Sequence, residues 1–423
     1  MAEVLPTSPS TKLTRMKTPL LILNLRNLLA AGAVLSAGTG FTIVAAEAPP
    51  KDSSAALLRL QDQLDRQTKR IDRLYNAIGP QLAELEERAA AMKKQQEEDA
   101  ALAMKPVFRA EDQNFKSKLL FLPGSRRLAL AGADRMIRLL ALPQGKVEAT
   151  LTGAEGHIEC LSATADGKRL FAGTDKGFVF AWSDGKDPAV KITSTDDWPV
   201  TALAASPDGT RVAWACNGKN GADGKWSQPN ESLVVLDTAS GRKLWGGKIG
   251  RGDYQALSFA GEGNQLAVVQ QGKVTVFDAA TGQVLRELAH EQYPAGPLST
   301  AMSRDGAVCA VGYAPNSIGL WDAQTGKPLR LIKAHSNWVV SLAFTPDGAL
   351  LASSAGDTTA SVWEVATGKE VGRLRFGDGG TYVYSVSISD DGRWLAAGRQ
   401  GEYVVSEMPT PLSERKPGSS EKD

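Results

Sequence analysis

A chain of 423 residues carrying 48 Lys plus Arg against 47 Asp plus Glu has no net field to draw a polyphosphate backbone, which argues against nucleic acid as a partner. Its apolar fraction of 42% and charged fraction of 22% are those of a soluble globular protein long enough for two or three functional segments. The three cysteines, Cys160, Cys216 and Cys309, stand far apart with no CxxC pair, which leaves a thiolate zinc site, a redox dithiol or an attached haem without ligands, and their odd number argues against a disulfide framework.

The first 48 residues place Lys12, Arg15, Lys17 and Arg26 ahead of an uncharged stretch, Leu28 to Ala46. As a helix, that stretch would span about 28 Å, close to the ~30 Å hydrocarbon core. It ends Val44-Ala45-Ala46-Glu47-Ala48, which also satisfies the small-residue rule for signal-peptide cleavage, and Met16 offers a second start. A cleaved signal peptide and an uncleaved transmembrane anchor both fit. With the basic residues first, either one places the remaining chain outside the cytoplasm, as a periplasmic, secreted or single-pass anchored protein with its N-terminus inside.

From 53 to 104 the composition turns to Leu, Ala, Glu, Gln, Lys and Arg, and Leu57, Leu64, Ile71, Ile78, Leu85 and Met92 recur seven apart. This is the a-series of a coiled coil, with a mixed d-series of Leu60, Gln67, Leu74, Gln81 and Arg88. Gly79-Pro80 removes a helix hydrogen bond, so the spacing predicts a stalk interrupted or kinked there, a candidate for homo-oligomer formation.

From 106 to 408 one pattern repeats. An apolar strand ends in a tight turn, Pro123-Gly124-Ser125, Ala165-Asp166-Gly167, Pro207-Asp208-Gly209, Gly261-Glu262-Gly263, Arg304-Asp305-Gly306, Pro346-Asp347-Gly348 or Asp390-Asp391-Gly392. The spacings are 42, 42, 54, 43, 42 and 44 residues. Proline presets φ, aspartate bonds its own turn and glycine takes the positive φ, so each copy predicts a strand connection. In four units a later strand ends at an acidic residue and a second turn: Asp237, Asp278, Asp322 and Glu364. Seven units of four short strands predict an all-β seven-bladed propeller, with 107–110 supplying the strand that the last unit lacks. A polar tail, 409–423, follows.

These repeats resemble the WD-repeat family over Val107 to Met408, although only Trp321-Asp322 keeps the family's dipeptide and Trp363-Glu364 approximates it. The resemblance implies a buried hydrogen-bonding set that this chain supplies fully in the sixth unit alone, as His335, Ser353, Asp357 and Trp363. His335 lies 13 residues before Gly348, where the family has its structural histidine; His290, 16 before Gly306, matches if its loop is three residues longer. His157 stands apart.

No Ser-His-Asp ordering, phosphate loop or metal-ligand cluster stands out, so the sequence assigns no catalytic residue, cofactor or metal. The competing reading is a propeller enzyme of the hydrolase, lactonase or redox type, with widely separated groups meeting in the central channel. The first reading is a scaffold for protein partners. About ten residues before each turn glycine, where the innermost strand opens, stand Phe115, His157, Trp198, Tyr254, Tyr293, Trp338 and Tyr382. An insertion at 217–230, carrying Trp226, belongs to a loop on the same face. Rings around a concave mouth are what protein and peptide hot spots are made of.

Overall fold

The computed structural model describes residues 33–38, 40–45 and 54–410, apart from 125, 184–185, 195–197, 217, 221–225, 228, 250–255, 261–262, 271, 290–295 and 378–380. The chain divides into two units, Met1–Lys94 and Gln95–Asp423.

In the first unit, Ala33–Gly38 and Gly40–Ala45 pair as an antiparallel ribbon, which departs from the apolar helix expected over that stretch. Val34, Thr42, Ile43 and Val44 are β-branched and favour extended backbone. Among the described residues no helix is long and apolar enough to cross a membrane. The helix Ser54–Leu102 runs as one element through Pro80, not as the two separate helices that were one of the expected outcomes. The proline removes one N–H donor from a ladder of 49 residues, and the remaining bonds on either side keep the helix continuous.

The described residues of the second unit form seven four-stranded antiparallel sheets. Blades one to six occupy 115–151, 158–194, 200–247, 257–288, 297–333 and 339–375. Blade seven takes Ser385–Ile388, Trp394–Arg399 and Glu402–Glu407 from the end of the domain and its outermost strand, Pro106–Glu111, from the beginning. The innermost strand Phe115–Leu122 touches both Ile158–Ala163 and Ser385–Ile388, so the ring is complete. Middle strands are covered on both faces by neighbouring blades and read mostly apolar or small between their ends; Leu350–Ala355 is buried from end to end. Outer strands such as Lys146–Leu151 are largely exposed.

The closing strand is clasped as well as paired. Arg109 and Glu402, opposite ends of the domain in sequence, form an ion pair at 2.7 Å, and Arg399 meets the other oxygen of Glu402 at 2.6 Å. Both guanidiniums lie over the ring of Phe376, 5.5 and 5.7 Å from its centre. Arg109 also donates to the Arg375 carbonyl and Arg399 to that of Gly377, which ties blade seven to blade six. Beside this clasp, Met104 N–H donates to the Arg373 carbonyl, and Asp99 pairs with Arg373 and Arg375 at 2.8 Å each.

Five of the seven inner turns share one device. A hydroxyl, from Thr164, Ser206, Ser303, Thr345 or Ser389, donates to the aspartate two residues on, Asp166, Asp208, Asp305, Asp347 or Asp391. The same hydroxyl oxygen accepts the first N–H of the returning strand, as at Arg211 and Leu350. Gly167 shows why glycine must follow: it sits at φ +64°, and a Cβ there would lie 2.1 Å from the Pro123 carbonyl oxygen.

The hydroxyl and amide bonds hold Asp166, Asp305 and Asp347 below the usual carboxylate range. At Asp208 and Asp391 burial is the largest influence and opposes ionisation, but the hydroxyl, amide and arginine interactions together outweigh it. A carboxylate whose folded pKa is depressed stabilises the fold above the unfolded pKa of about 4 and loses that contribution as pH falls through the folded value. The melting temperature is therefore expected to be flat from about pH 7 to 5 and to fall below about pH 4. Calorimetry across that range checks this, and a Ser206→Ala/Thr345→Ala/Ser389→Ala variant should show a shallower acid limb than the wild type.

Candidate interaction surface

Blade six carries a buried polar set. His335 Nδ1 lies 3.0 Å from Asp357 Oδ2 and 3.1 Å from Thr359 Oγ1, while its Nε2 lies 2.7 Å from Ser353 Oγ. Trp363 Nε1 donates to that same Ser353 oxygen at 2.8 Å. Asp357 further accepts the backbone N–H of Ser336 at 2.9 Å and the hydroxyl of Thr359 at 2.7 Å. Burial opposes ionisation of Asp357 more than any other single influence, yet the bond and charge of His335, with the Thr359 and Ser336 bonds, hold its carboxyl well below the usual carboxylate range.

Ser353, His335 and Asp357 stand in the order of a nucleophilic triad, and the distances fit one. The surroundings do not. Ser353 is wholly buried, its oxygen already serves Trp363 and His335, and the His335 side chain is 1% exposed, so no substrate reaches the hydroxyl. What the set does is pin the loop 334–338 to the turn 356–358 and thereby fix where Trp338 sits. Gly356 N–H donates to the Trp338 carbonyl at 3.0 Å, and Asn337 reaches back to the Gly356 carbonyl.

Trp338 is 38% exposed at the mouth of blade six. Its ring centre lies 6.3 Å from that of Tyr382, which lies 5.7 Å from Tyr384. Glycine at 356 makes this row possible, since a Cβ there would stand 2.4 Å from the Tyr382 ring. The turn below is strained: Thr358, β-branched, takes φ 65°. Next to Tyr382 an open, shallow depression is lined by Thr381, Glu111, Arg399, Gln400, Gly401 and Glu402, over the seam where the ring closes.

The other rings expected at this rim are placed differently. Phe115 is 1% exposed and packs edge-on against Tyr403 at 5.5 Å, so it belongs to the core and offers a partner no surface. The register shift between Phe115 and Leu119 turns its ring inward. His157 is half-buried, with Nδ1 3.1 Å from the Ala133 carbonyl oxygen. Trp198 is half-buried against the core between blades two and three. Of the insertion, Lys219–Asn220 and Trp226–Ser227 are described, and they pair antiparallel through the backbone. Tyr254, Tyr293 and His290 lie outside the described residues.

Sequence reasoning passed over Tyr384, which completes the aromatic row, and Trp182, which stands 15 residues after Gly167 as Trp363 does after Gly348. Lacking a serine in register, Trp182 donates instead to the Thr152 carbonyl at 3.1 Å. Among the described residues no three His, Cys, Asp or Glu side chains gather as a metal site.

Residues 326–364 and 368–402 match the family described as WD domain, G-beta repeat. The two matching segments lie within a seven-bladed propeller, and together they support a propeller of the WD-repeat type. The matched segments contain the whole polar set of blade six and the row Trp338, Tyr382 and Tyr384.

Removing the Ser353 hydroxyl strands two buried nitrogens, so Ser353→Ala is expected to cost about 2–3 kcal/mol in urea unfolding. Exposed Ser336→Ala should stay within about 0.5 kcal/mol of the wild type.

Proposed function

We propose that this protein is a non-catalytic scaffold for protein partners, presented outside the cytoplasm, with Trp338, Tyr382 and Tyr384 at the centre of its contact surface. The observation that carries this is an exposed tryptophan aligned with two tyrosines on one rim and held there by a buried hydrogen-bonded set. Large aromatic rings on a rigid support bury much area at little entropic cost, which is why hot spots are rich in them.

Affinity capture with the full chain tests the surface. The Trp338→Ala/Tyr382→Ala variant, melting at the wild-type temperature, is expected to recover at least about tenfold less of each partner, since truncating a hot-spot ring costs more than about 1.4 kcal/mol. Equal recovery by both proteins would discard the site.

Presentation outside the cytoplasm rests on the order of Lys12, Arg15, Lys17 and Arg26 before the uncharged stretch and of Glu47 and Asp52 after it. A disulfide-dependent phosphatase fused after Asp423 is expected to be active in intact cells. A fusion that is made in full yet inactive refutes export.

A further inference from the structure

The helix leaves an apolar stripe uncovered. Leu64, Ile71, Leu85 and Met92, four members of the series spaced by seven, are 38% to 65% exposed. A 3.5-residue period keeps such a stripe facing one partner helix along its length. We propose that this helix pairs with the same helix of a second copy, in parallel and in register, so that the chain is a dimer carrying two propellers. This goes beyond the interaction surface and rests on none of its residues.

The residues at the d positions decide both the partner and the direction. Gln67 and Gln81 lie there, between Leu60, Leu74 and the apolar series. In a parallel, in-register pair every residue faces its own copy, so each glutamine meets a glutamine, and an amide can donate to and accept from another amide. In an antiparallel pair a positions face d positions, and both glutamines would be pressed against Leu, Ile or Met with nothing to bond, a cost of about 1–3 kcal/mol each. A different helix with an ordinary leucine seam would impose the same cost. Ile71 and Ile78 at a with Leu60 and Leu74 at d is the combination that favours two strands. Arg88, also at d, already bonds Glu84 on its own helix at 2.7 Å, which balances its charge at the seam.

The chain is suited to a direct test because its own thiols are out of reach. Cys160, Cys216 and Cys309 are buried, and burial pushes the Cys160 and Cys309 thiols up to about 12. Sedimentation of the full chain at micromolar concentration is expected to give twice the chain mass. Gln67→Cys and Gln81→Cys should each form a disulfide-linked dimer on mild oxidation, and Lys69→Cys, on the opposite helix face, should not. Leu64→Glu/Ile71→Glu should sediment as a monomer while the propeller melts at the wild-type temperature. A monomeric wild type, a dimer that persists in the double variant, or crosslinking at Lys69→Cys equal to that at Gln67→Cys would each overturn the proposal. None of these results bears on partner capture by the Trp338 rim.

Discussion

A blade is a small twisted sheet with two apolar faces, and alone it can bury neither. Each face is covered only by the next blade, so the stability of every sheet depends on its neighbours and the last dependence is met only when the ring closes. Here closure falls to six residues from the start of the domain, Pro106–Glu111, laid against Glu402–Glu407. A backbone ladder of that length leaves a seam, and the chain reinforces it with charge. Glu402, 7% exposed, is flanked by Arg109 and Arg399, and the carbonyls of Arg375 and Gly377 take the spare guanidinium donors. A buried carboxylate between two arginines is tolerable because every partner is already in place.

Once the ring is closed, the blades are free to differ, and they do. Five turns keep the hydroxyl–aspartate bond, which is local and needs only the sequence Ser/Thr-x-Asp-Gly. The four-residue set around His335 requires four positions to agree across two strands, a loop and a turn, and the chain supplies it in blade six. There it also serves the surface, because the loop it pins is the one that carries Trp338. Blade two fills the same tryptophan position with Trp182 but bonds it to a backbone carbonyl. The family match falls where the side-chain set is intact, and the fold continues where it is not.

Local chemistry repeated at a fixed period was readable in the sequence: the turn glycines, the number of blades, the closing strand and the polar set placed on either side of Gly348. What escaped reading depends on register or on contacts between blades. Phe115 occupies the same count as Trp338, but a shift in strand pairing sends its ring into the core. Tyr384 follows no count at all, and only the packing of the 381–384 segment beside blade six brings it to Tyr382. Arg109 and Glu402 are 293 positions apart, so nothing in the sequence marks them as a pair. At 33–45 hydropathy suggested a helix where β-branched residues gave strands.

The seam also decides how the molecule would carry a load. The chain enters the ring through Met104 and Pro106, so tension applied from the N-terminal side runs directly into the outermost strand of blade seven once the contacts upstream of it have yielded. The Asp99 pairs with Arg373 and Arg375 stand upstream of that strand and take up the pull first. If they give way, the force passes to the ladder against Glu402–Glu407 and to the Arg109 clasp. A tether fastened at this end is thus fastened to the ring's own lock, and a strong enough pull would uncoil the domain from its seam.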